Sequence, residues 1–548
     1  MRRPWVALVG PEIEENLSLR YLASALSRAG IDSEIFAFND ALQMAGIVQK
    51  VVTDSPPIAV GISMAFQWRA LDMLGLGVAL REAGYGGHIT MGGHFATFAS
   101  ENALADFPEI DSICRQESEE TLVELVRCLV AGEPWAALPG LCARDGAGKP
   151  ALTPLRHPPD LSGLAWPDRR GEPAACFGHN IAPLVSTRGC YANCSFCCIA
   201  AWHEMTLPGK RYRERPLEDV ADEMASEHFG RGIEIFVFHD DNFFLPSGAK
   251  NAERLNTLAD LLEARGVRRF ATVVKARPTD VQPRAFEALV HRLHCIRCYV
   301  GIETDADQGL ETLNRWAKPR HNKVAMELVE QLGLYTCFNV LLFDPDTTVD
   351  SLEDNLRFME RWADYPFNFG RTELYAGTPL LGRMRQEHRA RGDWLQWDYR
   401  MADEKVERIF QLTNRAFHER NFRPDALANT MMSTRFDVEV VRRFHPEVFR
   451  PSWQAEAKAL SRALGTDSVR GLRRIINRTL AAEPASGDAG FCDDLGAQLR
   501  ATEERLRGRA QALAAEVHAA VGQGLPLTYI GDRVATPLQH AVPVGVAP

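Results

Sequence analysis

Three cysteines stand in one short stretch with three and then two residues between neighbours: Cys190, Cys194 and Cys197. The apolar run 182–185 precedes them, so a compact loop at a strand end can turn all three sulfurs toward one point. Four thiolates normally saturate an iron–sulfur cube, so three leave one iron open to a ligand that is not protein. The alternatives are buried packing cysteines or a zinc site, although zinc usually takes four ligands from paired Cys-x2-Cys units. Cys198 follows at once, and we interpret it as packing.

The pattern Cys-x3-Cys-x2-Cys, with the aromatic Phe196 directly before the last cysteine, resembles the cluster loop of the radical S-adenosylmethionine (SAM) enzymes. The resemblance implies that Cys190, Cys194 and Cys197 hold a [4Fe-4S] cluster whose open iron chelates SAM. It further implies that one electron from the cluster cleaves SAM to a 5′-deoxyadenosyl radical. Phe196 would then contact SAM.

Length, charge and cysteine usage limit the class of protein. A chain of 548 residues indicates two to four domains. No apolar stretch approaches the roughly 18 to 20 residues of a membrane helix, and the N-terminus leads straight into a strand, so we expect a soluble cytoplasmic protein. The twelve cysteines form no disulfide framework, which fits a reducing compartment. The net charge of −10 would repel a phosphate backbone, which favours a small-molecule or peptide substrate over nucleic acid.

Strands and helices alternate along the first part of the chain. This alternation predicts a doubly wound, Rossmann-like parallel sheet, whose ligands sit at the carboxyl ends of the strands. The predicted strands cover residues 5–9, 31–38, 58–63, 87–91 and 110–114.

Two of these strand ends are rich in small residues. Gly61-Ile62-Ser63-Met64-Ala65 follows the third strand, and Met91-Gly92-Gly93-His94 follows the fourth. Glycines let the backbone approach a large ligand. Together with the cluster loop, these ends resemble the cobalamin-binding domain that precedes many radical SAM cores. The resemblance implies that the serine meets the nucleotide tail of cobalamin and that the Gly-Gly turn lies along it. The implied cobalamin contacts are Ser63, Met64, Gln67, Trp68, Gly92, Gly93, His94 and Glu117.

The sequence departs from that family pattern in two places. The loop after the first strand, residues 10–16, has no histidine to bind cobalt, which favours a corrin without a histidine below the metal. Gln67 or Trp68 can cover that lower face or can simply begin a helix, and His94 is either a ligand or a hydrogen-bonded turn residue. The usual Gly-Glu-x-Glu stretch reads Arg-Gln-Glu-Ser-Glu at 115–119, so Glu117 and Glu119 remain while one glycine is lost.

Composition divides the chain into four predicted parts. Residues 1–131 form the cobalamin-binding domain, and 132–180 form a linker of Pro, Gly and charged residues that cannot pair as a central strand. Residues 181–380 contain six strand–helix repeats, which predict a partial (β/α)6 radical SAM barrel. Residues 381–548 form a mostly helical C-terminal domain, and its tail from Ala535 to Pro548 is expected to be either disordered or draped over the surface.

Charged residues follow the second, third and fourth strands of the predicted barrel, at Asp240, Arg277 and Glu303. Buried charges there need partners, and SAM offers a carboxylate for an arginine and an ammonium and hydroxyls for acidic groups. The resemblance implies that all three contact SAM. The alternative is a structural ring of ion pairs at the rim of the barrel.

The sequence therefore predicts a cobalamin-dependent radical SAM methyltransferase that methylates an unactivated carbon, or phosphinate phosphorus, of a natural-product intermediate. An external electron donor such as flavodoxin or ferredoxin and a monomeric state are expected. One alternative is cyclisation, ring contraction or rearrangement without methyl transfer, and another is a non-catalytic corrinoid sensor or carrier.

Overall fold

The computed structural model describes residues 4–421, 426–481 and 487–522. The predicted tail, 535–548, lies outside these ranges. Within them, no helix is both long enough and apolar enough to cross a membrane.

The chain divides into two compact units. The first comprises Met1–Ala174, Thr187–Glu223 and Leu374–Asp398, so it contains both the N-terminal domain and the three-cysteine loop. The second comprises Ala175–Ser186, Met224–Glu373 and Tyr399–Pro548.

The N-terminal part of the first unit is a seven-stranded sheet with strand order β2-β1-β3-β4-β5-β6-β7, in which the first five strands run parallel. Helices connect the parallel strands, as the alternating pattern predicts. The strands are β1 (Trp5–Gly10), β2 (Asp32–Ala37), β3 (Ala59–Ser63), β4 (His88–Gly92), β5 (Ser112–Cys114), β6 (Leu141–Arg144) and β7 (Pro150–Leu152), and the helices are α1 (Leu17–Arg28), α2 (Met44–Val51), α3 (Ala70–Glu82), α4 (His94–Phe98), α5 (Ser100–Asp106) and α6 (Glu119–Ala131).

Helix α1 shows why these segments form the elements they do. The side chain of Asn16 caps its N-terminus by accepting the backbone N–H of Ser18 and of Leu19, which would otherwise lack partners. The apolar residues that recur at helical spacing on α1 pack in one buried cluster with Val6 and Leu8 of β1.

Residues 132–180, predicted to be a linker that cannot pair as a central strand, contribute two strands to this sheet. Strand β6 pairs antiparallel with β5, and β7 pairs antiparallel with β6. The carboxylate of Asp145 accepts the N–H groups of Ala147 and Lys149 and closes the turn between them. Pro150 is tolerated because it is the first residue of an edge strand, where no ladder hydrogen bond is required of it.

The second unit contains another seven-stranded sheet, with strand order β16-β15-β14-β13-β12-β9-β8. From β9 to β16 the strands run parallel in the order of the sequence, so the expected six-strand half-barrel and the α/β fold class are confirmed. The strands of this sheet are β8 (Ala174–Cys176), β9 (His179–Leu184), β12 (Ile233–Phe238), β13 (Ala271–Ala276), β14 (Cys295–Val300), β15 (Thr336–Phe343) and β16 (Phe367–Arg371). The first unit contains two short antiparallel pairs, β10 (Thr187–Gly189) with β11 (Tyr212–Glu214) and β17 (Arg391–Gly392) with β18 (Trp397–Asp398).

The helices that begin at or after residue 404 belong to the second unit. The helices from α7 onward are α7 (Cys198–Glu204), α8 (Leu217–Arg231), α9 (Gly248–Ala264), α10 (Pro283–His291), α11 (Asp307–Thr312), α12 (Pro319–Gln331), α13 (Val349–Arg361), α14 (Pro379–Gln386), α15 (Glu404–Asn421), α16 (Leu427–Phe444), α17 (Pro451–Ala481) and α18 (Asp488–Ala520).

The helix α16 packs directly on the half-barrel sheet. The hydroxyl of Tyr335, directly before β15, donates to the carbonyl oxygen of Met432 at 2.9 Å, and the guanidinium of Arg297 on β14 lies 5.1 Å from the ring centroid of Phe436. The C-terminal region is therefore part of the core of this unit.

Candidate functional site

The three-cysteine loop is held by a short β-hairpin in the first unit. Strand β10 pairs antiparallel with β11, and the loop between them carries the three cysteines and α7. Gly189, directly before Cys190, has a φ of +89°, and a Cβ at this position would lie 1.9 Å from the carbonyl oxygen of Arg211. Only glycine fits such a close approach of two backbones.

The three thiols influence one another electrostatically. Cys194 is buried, and Cys190 and Cys197 are half-buried. Burial raises the pKa of Cys197 well above its usual value, and charge on Cys198, Cys194 and Cys190 raises it further. Backbone contacts shape the loop, since the N–H of Cys197 donates to the carbonyl oxygen of Cys194 at 3.2 Å.

The donor set fits an iron–sulfur cluster that keeps one iron open, because one loop supplies three thiols. Among the described residues, no group of three or more His, Cys, Asp or Glu side chains is arranged to hold a single metal ion.

The predicted cobalamin contacts begin where neighbouring strands end. Ser63 at the end of β3 is the register partner of Gly92 at the end of β4. A Cβ on Gly10, at the end of β1, would lie 2.9 Å from the Cβ of Ser63, so these three strand ends meet closely. Gly93 has a φ of +108°, and its Cβ would lie 3.0 Å from backbone atoms of Ala65. The glycines at these strand ends are thus required by the close packing of Gly10 on Ser63 and of Gly93 on Ala65.

Gln67 and Trp68 follow the end of β3 but differ in their surroundings. Gln67 is buried, and its amide oxygen accepts the backbone N–H of Ala376 at 2.9 Å. Trp68 is 37% exposed beside Phe66, which is 46% exposed, while Met64 is fully buried. Two aromatic surfaces are therefore accessible at this edge of the sheet.

His94 and Glu117 contact the segment that carries the cysteines. The ring of His94 lies 4.7 Å from that of Trp202 on α7. Glu117 forms ion pairs with Arg188 on β10, at 2.5 Å, and with Arg213 on β11. Burial raises the pKa of Glu117, but the two arginines outweigh it and hold this pKa below the usual range of a glutamate.

The predicted SAM contacts at strand ends lie in the second unit, after neighbouring parallel strands. Asp240 follows β12, and its Oδ1 accepts both the backbone N–H and the hydroxyl of Ser186. Arg254 donates to the same hydroxyl at 2.8 Å, so this aspartate is held in a buried polar group.

Arg277 and Glu303 are linked through Arg315. The guanidinium of Arg277 donates to the carbonyl oxygen of Arg315, whose own guanidinium donates to the carbonyl oxygen of Gly301. Glu303 adopts a φ of +62°, and its backbone bonds to Asn339 and Leu341 of β15. Burial raises the pKa of Glu303, and Arg315 partly offsets this. Phe196, the remaining predicted SAM contact, is half-buried within the cysteine loop.

The sequence analysis missed the residues that hold these groups in place. Arg188, Arg213, Ser186 and Arg315 all bond to, or act electrostatically on, a predicted site residue, and Arg254 bonds to the hydroxyl of Ser186. Arg188 stands two positions before Cys190, but its partner Glu117 lies 71 positions away along the chain. No local pattern indicates such a pair.

Comparison with known proteins identifies two domains in this chain. Residues 6–126 match the B12 binding domain, and residues 184–359 match the radical SAM superfamily. These ranges contain the strand ends and the cysteine loop described above, which confirms the resemblance that the motifs indicated.

The relatives of this chain include one named a methyltransferase and one named a cyclase. An uncharacterized methyltransferase of Pyrococcus horikoshii is 25% identical over 372 residues, which are 66% of this chain and 77% of the relative. The anaerobic magnesium-protoporphyrin IX monomethyl ester cyclase of Cereibacter sphaeroides is 25% identical over 387 residues, which are 67% of this chain and 60% of the cyclase.

A solved structure has the same fold. The cobalamin-dependent S-adenosylmethionine radical enzyme OxsB, with aqua-cobalamin and S-adenosylmethionine bound, aligns with a TM-score of 0.66. The alignment covers 95% of this chain and 83% of OxsB at 17% identity, so the likeness concerns the fold.

Proposed function

Since the chain joins a B12 binding domain to a radical SAM domain, it belongs to the B12-binding radical SAM enzymes, and we propose that it is a cobalamin-dependent methyltransferase. The proposed substrate is a small-molecule or peptide intermediate of natural-product biosynthesis, methylated at an unactivated carbon or at phosphinate phosphorus. The observation that carries this proposal is the placement of the three-cysteine loop in one compact unit with the converging ends of β1, β3 and β4.

The methyltransferase named among the relatives supports methyl transfer. When bound, the cluster and SAM supply a 5′-deoxyadenosyl radical and methylcobalamin supplies the methyl group. A reaction of this kind at a strong C–H bond requires no general base.

Each predicted residue has a role in this proposal. Cys190, Cys194 and Cys197 hold the [4Fe-4S] cluster through their thiolates. We assign the nucleotide part of cobalamin to the turn at Ser63, Gly92 and Gly93, where the glycine at position 93 allows its backbone to approach that of Ala65. Met64, Gln67, Trp68 and His94 complete the proposed cobalamin contacts, whereas both oxygens of Glu117, which the resemblance also assigns to this cofactor, already accept from arginines.

The SAM contacts that we propose are Phe196, Asp240, Arg277 and Glu303. Arg277 offers the cation that suits a carboxylate, and the two acidic residues offer acceptors for an ammonium group and for ribose hydroxyls. Because Arg277 already donates to a backbone carbonyl in this structure, binding SAM would require it to share or exchange that hydrogen bond.

The remaining partners are also proposals. We expect an external one-electron donor such as flavodoxin or ferredoxin, a monomeric enzyme and a cytoplasmic location. The acidic net charge of −10 supports a substrate other than nucleic acid.

The cyclase among the relatives favours a second candidate function. In that case the enzyme would use the same cofactors for cyclisation, ring contraction or rearrangement without methyl transfer. The two candidates differ in whether the methyl group of SAM leaves SAM at all.

The fate of that methyl group tests the proposal. Anaerobically reconstituted protein is loaded with hydroxocobalamin, reduced, and incubated with SAM that carries a deuterated methyl group. A methyltransferase should yield S-adenosylhomocysteine and labelled methylcobalamin even without substrate, together with some 5′-deoxyadenosine. Formation of 5′-deoxyadenosine alone would favour the second candidate, and failure to cleave SAM at all would contradict both and leave a corrinoid carrier.

Cysteine variants provide the matched control for this experiment. Cys194→Ser should lose most of the iron and all SAM cleavage, because serine is a poor ligand for iron in such a cluster. Cys198→Ser should keep both, since Cys198 begins α7 and is not among the proposed ligands. Equal iron contents in the two variants would contradict the assignment of the ligands.

A further inference from the structure

We propose that Glu117 is a positioning residue for the cysteine loop rather than a contact of the cobalamin nucleotide. This inference rests on the proposed function in one respect, namely that Cys190, Cys194 and Cys197 hold an iron–sulfur cluster.

One carboxylate contacts both strands of the hairpin that carries the loop. Glu117 lies in the turn after β5 with 6% of its side chain exposed. Its Oε2 accepts from Nη1 of Arg188 at 2.5 Å, and its Oε1 accepts from Nη2 of Arg213. Arg188 and Arg213 are register partners across the β10–β11 pair. Glu117 therefore joins the two strands from one side, and we call these three residues the glutamate clamp.

Arg188 is enclosed from other directions as well. Its Nη2 lies 2.8 Å from Oε1 of Glu119, and its guanidinium stands 4.9 Å from the ring centroid of Tyr21 on α1. A guanidinium fixed by two carboxylates and an aromatic ring has little freedom to move. Because Arg188 stands two residues before Cys190, fixing its side chain also fixes the start of the cysteine loop.

The far side of the loop contacts the same turn. Nδ1 of His203, near the end of α7, lies 4.0 Å from Oε1 of Glu117. The side-chain amide nitrogen of Gln116, Nε2, lies 3.2 Å from the sulfur of Met205, which directly follows α7. The turn at residues 115–119 thus contacts the segments before and after the cysteines, and all of these contacts lie within the first unit.

The engaged state of the carboxylate argues against a direct role in binding the nucleotide. Both oxygens of Glu117 accept charge-assisted hydrogen bonds from arginines, and the group is almost wholly buried. Each oxygen keeps a further lone pair, but with 6% of the side chain exposed a ligand could reach it only by displacing an arginine that is itself buried, and leaving such a cation unpaired is unfavourable.

The variant Glu117→Gln keeps the shape of the side chain but removes its charge. The measurement is the rate at which a ferrous chelator removes iron from the anaerobically reconstituted protein, together with the dissociation constant for hydroxocobalamin and the EPR spectrum of the reduced cluster. Removing a residue that orients metal ligands from outside typically costs about 10- to 100-fold, so we expect iron release to accelerate by that factor. The affinity for hydroxocobalamin should not change, and the EPR signal should broaden as the loop samples several positions.

Glu120→Gln is the matched control. Glu120 stands three positions after Glu117, in the first turn of α6, with 64% of its side chain exposed, and its partner is Arg156 at 3.7 Å. Neither iron release nor cobalamin affinity should change in this variant.

Two results would overturn the inference. Weakened cobalamin binding with unchanged iron release would return Glu117 to the nucleotide site, and no change in either quantity would show that the glutamate clamp does not hold the loop. If Glu117→Gln fails to fold, Arg213→Gln removes one arm of the clamp and should still accelerate iron release at unchanged cobalamin affinity. Wild-type protein that binds no iron would instead contradict the proposed function, so the two failures are distinguishable.

Discussion

Substituting alanine for Gly189 tests the geometry of the cysteine loop most directly. Two costs follow from the structure. The first is the positive φ of +89°, which an alanine adopts only at about 1–2 kcal/mol. The second is a Cβ that would lie 1.9 Å from the carbonyl oxygen of Arg211, where about 3.0 Å is the closest approach that real Cβ atoms show. The two strands must therefore move apart by roughly 1 Å, which is an overpacking cost of about 1–3 kcal/mol.

Gly209 in the same loop provides the matched control, because it shares the first cost and lacks the second. It has a φ of +73°, and no atom lies within 4 Å of the position of its Cβ. Gly209→Ala should cost about 1–2 kcal/mol from the backbone conformation alone, whereas Gly189→Ala should cost about 2–5 kcal/mol.

Hydrogen–deuterium exchange of the β10–β11 peptides measures this difference locally, which suits a chain too large for two-state unfolding. A difference of about 1.4 kcal/mol corresponds to tenfold faster exchange, so Gly189→Ala should exchange roughly 10- to 100-fold faster than Gly209→Ala. Gly189→Ala should also retain less iron after reconstitution. Equal exchange rates and equal iron contents would refute the close approach of Gly189 to Arg211 on which the reasoning depends.

Three further substitutions test the second unit. Burial raises the pKa of Asp305 to about 7, so the folded state binds the proton of this carboxyl group more tightly than the unfolded state does, and stability falls as the pH rises from about 4 to 7. Asp305→Asn should therefore raise the melting temperature at pH 8 and change it little at pH 4. A larger effect at pH 4 than at pH 8 would contradict this. Tyr335→Phe removes the hydrogen bond to Met432 and should lower the opening free energy of α16, measured by hydrogen–deuterium exchange, by about 1 kcal/mol, whereas no change would mean that α16 does not depend on it. Arg420→Met leaves the carboxylates of Asp467 and Glu503 without their buried cation and should cost about 3–5 kcal/mol in the same exchange measurement on α15, a loss that a surface ion pair would not produce.

Local patterns were sufficient to predict the fold class and the position of the cysteine loop. The spacing of the cysteines, the small residues after β3 and β4, and the alternation of strands and helices each involve a few neighbouring residues. Such features can be recognised from the sequence because neighbouring positions share one element or one turn. The sequence analysis missed strands β6 and β7 because the local composition there is that of a linker. The turn between them is rich in Gly, and the edge strand that follows it begins with Pro150.

The sequence by itself determined which chemical groups are present and on which elements they stand: three thiols in one loop, and glycines at the strand ends. Only the tertiary structure decided which side chains hold those groups, because their partners lie far apart along the chain. Glu117 is 71 positions from Arg188, and Arg277 is 38 positions from the carbonyl of Arg315 that it binds. An ion pair of this kind leaves no periodicity, since its strength depends on distance and burial in space and not on separation in sequence.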